Sequence, residues 1–356
     1  MVSRLMRHVI AVSSLLVMMI ASRAGALDTI TRKSTDRRAA GEITSVSKSE
    51  VTVKPKVGSP TTVPANDIAG IEWDAEPAAL GLARAKEASG QYTLAIADYE
   101  KALQESSAGK PQLKADIAFG IASATGKLAL VEPEQREAAI ARLNGFIDSH
   151  PDHYRHYDAL LLLGQTYLNQ ENFAGAEGAF QRVMDSPWTD YRMAASVALG
   201  RTSLARGDAA GARAAFDRVA TASPSGAAEV SRRFEAMLGQ AACLQSEQKF
   251  SEAADILGHV IRESAADDTR LQAEAFVRQG DCFAALEGRT KEAVMAYLHV
   301  EVVPSLAAHK DLHAEALYQL TQLSPQMGHP ERGDQAAAKL QTLYPNSPWT
   351  KKLTGG

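Results

Sequence analysis

Gly90-Gln91-Tyr92-Thr93-Leu94-Ala95-Ile96-Ala97-Asp98-Tyr99-Glu100-Lys101-Ala102-Leu103 is the stretch that decides how this chain folds. Tyr92, Ala95, Tyr99 and Ala102 recur every three or four residues, which puts them on one face of a helix. The pattern predicts the second helix of a hairpin. An aromatic side chain plugs the gap between helices, and alanine marks the point where two backbones meet and a larger side chain would force them apart.

The same offsets recur along the chain. They are found at Leu163-Gly164, Tyr167, Phe173, Ala176, Phe180 and Val183, and at Leu199-Gly200, Gly207, Ala212, Phe216, Val219 and a closing Pro224. Ala241, Phe250, Ala253 and Val260 form a further copy, as do Gly280, Ala293, Tyr297 and Val300. Fainter copies run through Gly120, Ala139, Leu143, Phe146 and Pro151, and through Ala314, Leu317, Leu340 and Pro345. Leu128–Gln135, with Pro133, is expected to form a longer loop between helices.

These residues resemble the tetratricopeptide repeat, with its small residue in helix A, alanine in helix B and proline at the exit. The resemblance implies a mainly α chain, a right-handed α-solenoid of about seven helical hairpins over residues 77–350. The anchors Gly164, Gly200 and Ala241 are 36 and 41 residues apart. Both exceed the consensus of about 34, so the superhelix is expected to be irregular. Such hairpins bury their apolar stripe only by stacking, which leaves a concave groove. In the family that groove takes segments of other proteins, and its lining positions correspond here to Arg84, Gln165, Asn169, Arg201 and Gln245. The family's carboxylate clamp of Lys and Asn is absent, because Leu80, Leu161, Arg84 and Gln165 stand in those places.

Composition agrees with helix packing. About 60 of the 356 residues are alanine and only 6% are aromatic, a bias that suits close helix contacts. A net charge of −4 argues against a generally nucleic-acid-binding chain.

Two segments precede the repeats. Residues 1–26 read as a secretory leader: Arg4, Arg7 and His8, an apolar run from Val9 to Ile20, then Ala24-Gly25-Ala26 as the cleavage pattern. The run is too short for a lasting membrane span. Cleavage after Ala26 would leave 35 basic and 42 acidic side chains, a net charge of −7, on an exported periplasmic or envelope protein without a membrane span. Residues 27–75 hold five short alternating runs, Thr29–Thr31, Gly41–Val46, Glu50–Lys54, Thr61–Val63 and Ile68–Trp73. The order Gly41-x-Ile43-x-x-Val46, Val51-x-Val53, Ile68-x-x-Ile71 resembles a small Sm-like or SH3-like barrel, in which a glycine lets the second strand bend. Seven basic and seven acidic residues cancel in residues 28–74, and Trp73 is the only aromatic there, so no stacking platform for nucleic acid is expected. Repeats are then expected over 76–350, and a tail over 351–356.

Two clusters could carry chemistry. His150, His153 and His156 have ligand types suited to zinc, but Pro151 breaks the chain between them, and an inter-repeat loop is the plainer reading. Cys243 and Cys282 sit at near-equivalent repeat positions, where small buried thiols are expected rather than a disulfide. Without a nucleophile elbow, phosphate loop or His-Glu-x-x-His motif, neither catalysis nor a cofactor is expected. The expected function is an exported, non-catalytic scaffold for other proteins. The alternatives are a metal-dependent envelope enzyme subunit using the histidines, or nucleic-acid binding through the barrel.

Overall fold

Alternating β-branched residues build five strands near the start of the chain, in a computed structural model that describes residues 27–107 and 109–355. The expected leader, residues 1–26, lies outside the described residues. The strands are β1 (Asp28–Arg32), β2 (Ala39–Val46), β3 (Glu50–Lys54), β4 (Thr61–Pro64) and β5 (Ile68–Glu72), each within a residue or two of the sequence reading. They form one antiparallel sheet in the order β4-β3-β2-β1-β5.

The sheet is bent but not closed, which corrects the expected barrel: β4 and β5 remain its two edges. Register shifts at Thr31/Arg32 and Ile43/Ser45 supply the bend. Gly41 permits it, because a Cβ there would fall 2.3 Å from the Lys54 carbonyl oxygen. Closure is unnecessary, since helices cover the apolar face. Ile30, Val51, Val53, Ile68 and Ile71 share one buried cluster with Trp73, Leu80, Ile117 and Tyr154.

From Ala78 onward the described chain is helical, in seven pairs. They are α1 (Ala78–Ala88) with α2 (Tyr92–Glu105), α3 (Pro111–Val131) with α4 (Arg136–Ser149), and α5 (His156–Asn169) with α6 (Phe173–Met184). Next come α7 (Thr189–Ala205) with α8 (Ala209–Ala220), and α9 (Ala227–Ser246) with α10 (Phe250–Glu263). The pair α11 (Thr269–Ala284) and α12 (Thr290–Val302) is followed by a short α13 (Pro304–Ala307). The seventh pair is α14 (Lys310–Leu323) and α15 (Pro330–Leu343), before a last helix α16 (Pro348–Thr354). The expected loop at Leu128–Gln135 is shorter than the sequence suggests. Leu128 to Val131 complete α3, and a single 3-10 turn at Pro133–Gln135 leads into α4.

The repeat residues meet for the expected reason. Ala95, Ala176, Ala212, Ala253 and Ala293 are fully buried in the second helices. Their aromatic neighbours pack against first-helix glycines: a Cβ on Gly164 would lie 2.4 Å from the Phe180 ring, and one on Gly280 would lie 2.7 Å from Tyr297. Phe216 fills the space over both Gly200 and Gly239, so it ties one pair to the next. Each new pair adds to the curvature until α14 touches α3, and the array returns upon itself.

Candidate functional site

All seven first helices, α1, α3, α5, α7, α9, α11 and α14, turn side chains into a common chamber of about 1180 Å³. Helical spacing aligns them in rows. On α5 the row is Asp158, Leu161, Leu162, Gln165 and Asn169; on α11 it is Arg270, Glu274 and Arg278. The β5 edge, at Ala69, Gly70 and Ile71, completes the wall. The volume exceeds the roughly 300–1,000 Å³ usual for small-molecule sites.

The wall is strongly charged, and the charges pair across helices. Arg201 of α7 reaches past α9 to Glu274 at 3.1 Å. Arg270 forks onto Asp311 at 3.0 and 2.6 Å. Arg278 forks onto Glu315 at 2.7 and 2.8 Å and also meets Asp281 at 2.7 Å. Burial works against the Arg278 charge, but Glu315 and Asp281 outweigh it and hold its pKa above the usual value. For Glu87 burial likewise opposes ionisation, while Lys127 at 2.8 Å and the hydroxyls of Tyr99 and Ser123 lower its pKa overall.

Four of the five groove residues named from the sequence line the chamber: Arg84, Gln165, Asn169 and Arg201. Their neighbourhoods differ. Arg84 is committed to internal structure, donating to Glu76 at 2.9 and 3.0 Å, to the Ile71 carbonyl at 2.8 Å and to Asp116 at 3.4 Å. Gln165 donates to Asn169 at 2.9 Å, and among the described residues neither side chain has another hydrogen-bond partner. Gln245 corrects the assigned register. Its amide is turned between helices, donating to the Arg278 carbonyl at 3.2 Å and the Cys282 thiol at 3.1 Å, and it does not line the chamber.

The sequence reading transferred only the family's groove positions and so missed Arg155, Arg232, Arg270, Glu274, Arg278, Asp311 and Glu315. The signal was present as charged residues four apart on α11 and α14, one helix face each.

The histidine cluster is split by its surroundings. His153 is enclosed by Phe119, Phe146 and Tyr154. Its Nδ1 accepts the Arg155 N–H at 3.2 Å, and burial pushes its pKa down to about 4. His156 packs on Tyr157, and burial likewise holds it at about 4. Among the described residues no three His, Cys, Asp or Glu side chains are grouped to hold a metal ion. Cys243 and Cys282 are buried free thiols in separate apolar clusters, and burial raises Cys282 to about 11. Trp73 is 4% exposed and donates its indole N–H to Asp116 at 2.9 Å, so it offers no stacking face.

Family models of the tetratricopeptide repeat match residues 77–108, 128–190 and 161–227. No curated protein matches the chain. Among solved structures, a tetratricopeptide repeat protein from Parabacteroides merdae is similar at 13% identity, over 74% of this chain and 91% of that one, with a TM-score of 0.46. The pilF protein of Pseudomonas aeruginosa is similar at 15% identity, over 78% and 96% of the two chains, with a TM-score of 0.34. The apo form of RapI is similar at 11% identity, over 77% and 78%, with a TM-score of 0.42.

Proposed function

We propose that this chain, which contains tetratricopeptide repeats, is an exported, non-catalytic scaffold of a bacterial cell envelope that receives a segment of another protein in its chamber. The basic start, apolar run and Ala24-Gly25-Ala26 of the leader support export. Repeat arrays present extended concave surfaces to their partners, and the open sheet serves as a fixed cap at the array's beginning.

The observation that carries the reading is the Gln165–Asn169 pair on the chamber wall, hydrogen-bonded to itself and free to exchange that bond for a partner's backbone. Most neighbouring charges already hold the wall together, so Gln165 and Asn169 can change partners at least cost to the fold.

Crosslinking and affinity capture from native envelopes, with the mature chain as bait, tests this. A reproducible protein partner is expected, and the double substitution Gln165→Ala/Asn169→Ala should cut its recovery at least tenfold. Removing both partners of one hydrogen bond leaves no orphan, so stability should stay within ~0.5 kcal/mol. Failure to capture any protein reproducibly, or capture indifferent to the double substitution, would sink the reading.

A further inference from the structure

The contact between the first two helix pairs and the end of the array, from α14 to α16, is built unlike the others. Elsewhere neighbouring pairs share buried apolar clusters: Val197, Phe216 and Ala236 join α7, α8 and α9, and Val277, Tyr297 and Leu317 join α11, α12 and α14. Among the described residues, no buried apolar cluster draws on both α1–α3 and α14–α16. The seam instead holds an ion pair between Lys351 and Glu134 and an Asn346 amide donating to Glu132 at 3.5 Å. The Lys310 stem also lies over Gly90, where a Cβ would meet its Cε at 2.6 Å. Between the two sides lies a cleft of about 240 Å³, lined in part by Leu94 and Leu343, which are 51% and 54% exposed.

We infer that the array is a gated ring, which opens at this seam and closes through the Lys351–Glu134 pair. Parting two helix pairs elsewhere would bare buried apolar surface. Parting the seam would split no shared buried apolar cluster among the described residues, and it would separate polar groups that water can solvate. Lys351 and Glu134 are 47% and 58% exposed, so dissolved salt screens their attraction. Repeat arrays sum small rotations over many units, so a slight change in each suffices to move the ends apart. Opening would let a chain segment be laid into the chamber from the side instead of threaded through it. That consequence rests on the proposed use of the chamber, whereas opening itself is measured on the chain alone, with no partner.

A carbodiimide joins the Lys351 amine to the Glu134 carboxyl as an amide, the water lost being taken up by the reagent as a urea. Mass spectrometry reads this crosslink beside the Lys339–Glu301 pair, which bridges α15 and α12 within one apolar cluster. From 50 mM to 1 M sodium chloride the seam crosslink should fall at least fivefold and the internal pair less than twofold. Over the same range, X-ray scattering should show a larger radius of gyration. Lys351→Glu should open the ring at low salt, and the swap Glu134→Lys/Lys351→Glu should close it again. A seam yield that merely tracks the internal pair, or a radius of gyration unmoved by both salt and K351E, overturns the gate. Neither result bears on whether the native chain captures a partner.

Discussion

Arg155, just before α5, donates through Nη2 to the carbonyl oxygen of Ala69 on β5, 86 residues earlier in the chain. Arg84 does the same at Ile71, two residues along the same edge. The open edge of the sheet is therefore satisfied by two guanidiniums from the helical array, where a closed barrel would use a fifth ladder, the β4–β5 pairing. Arg155→Ala should cost about 2–3 kcal/mol, the scale of a hydrogen bond from a charged donor plus an orphaned acceptor. It should also speed amide exchange in β5 more than in β3. Arg155→Lys should recover only part, since lysine lacks the fork that also holds Asp158 at 3.2 Å. Equal exchange in β3 and β5 would contradict this account of the edge.

Asp116 is the second fastening of sheet to array. It accepts the Trp73 indole at 2.9 Å and the Tyr154 hydroxyl at 2.6 Å, with Arg84 at 3.4 Å. Asp116→Ala leaves the Trp73 indole and the Tyr154 hydroxyl without their acceptor and Arg84 with one fewer, and should destabilise the chain by about 3–5 kcal/mol in urea unfolding. A loss below ~1 kcal/mol would show that the sheet is held by apolar contacts alone.

Two glycines of the third pair should respond oppositely to alanine. Gly164→Ala drives a methyl group into the Phe180 ring, 2.4 Å away, and should cost about 1–3 kcal/mol. Gly178 on the neighbouring helix has nothing within 4 Å, so Gly178→Ala should gain up to ~1 kcal/mol from helix propensity. Thermal unfolding of both variants decides whether packing sets the repeat register.

The turn within six of the seven pairs holds a left-handed residue; the second pair passes through a 3-10 turn instead. Gly90, Gly207, Gly288 and Gly328 supply it at φ of 71°, 89°, 76° and 77°, but Glu171 and Gln248 adopt φ of 59° and 61° at the same place. Glu171→Gly and Gln248→Gly should each stabilise by about 0.5–1 kcal/mol, while Gly207→Ala should destabilise by about 1–2 kcal/mol. Denaturation midpoints of the three variants provide the comparison.

Acid should loosen the junction between the second and third pairs. Burial keeps folded His153 neutral down to about pH 4, whereas the unfolded residue titrates near 6.5. Between those values the unfolded state binds more protons, so stability falls as pH drops and levels off below about pH 4, at a loss on the order of 3 kcal/mol. His156, also held at about 4, adds to the same window. His153→Gln should flatten the pH dependence of the unfolding free energy. An unaltered slope would show that His153 binds as many protons folded as unfolded, contrary to this prediction.

Much of this molecule is local and therefore legible in sequence. The alternation in Glu50-Val51-Thr52-Val53-Lys54 becomes β3, and Ala176, Phe180 and Gly164 meet as their spacing predicts. The chamber wall was legible in part. Arg84, Gln165, Asn169 and Arg201 follow from the repeat register, but Gln245 falls between helices, where its amide bonds the Arg278 carbonyl of α11. Three histidines at intervals of three suggested a common ligand set, yet aromatic neighbours take His153 and His156 into different environments.

The sequence by itself determined the seven helix pairs and the five strands, because each depends on side-chain periodicity within a few turns or residues. Tertiary structure alone decided that the sheet stays open, since its edge is met by Arg84 and Arg155 from distant helices. It alone decided that the array closes into a ring as well. Asn346 and Glu132 meet 214 residues apart because small rotations at every helix contact accumulate over seven pairs, and no single repeat encodes their sum.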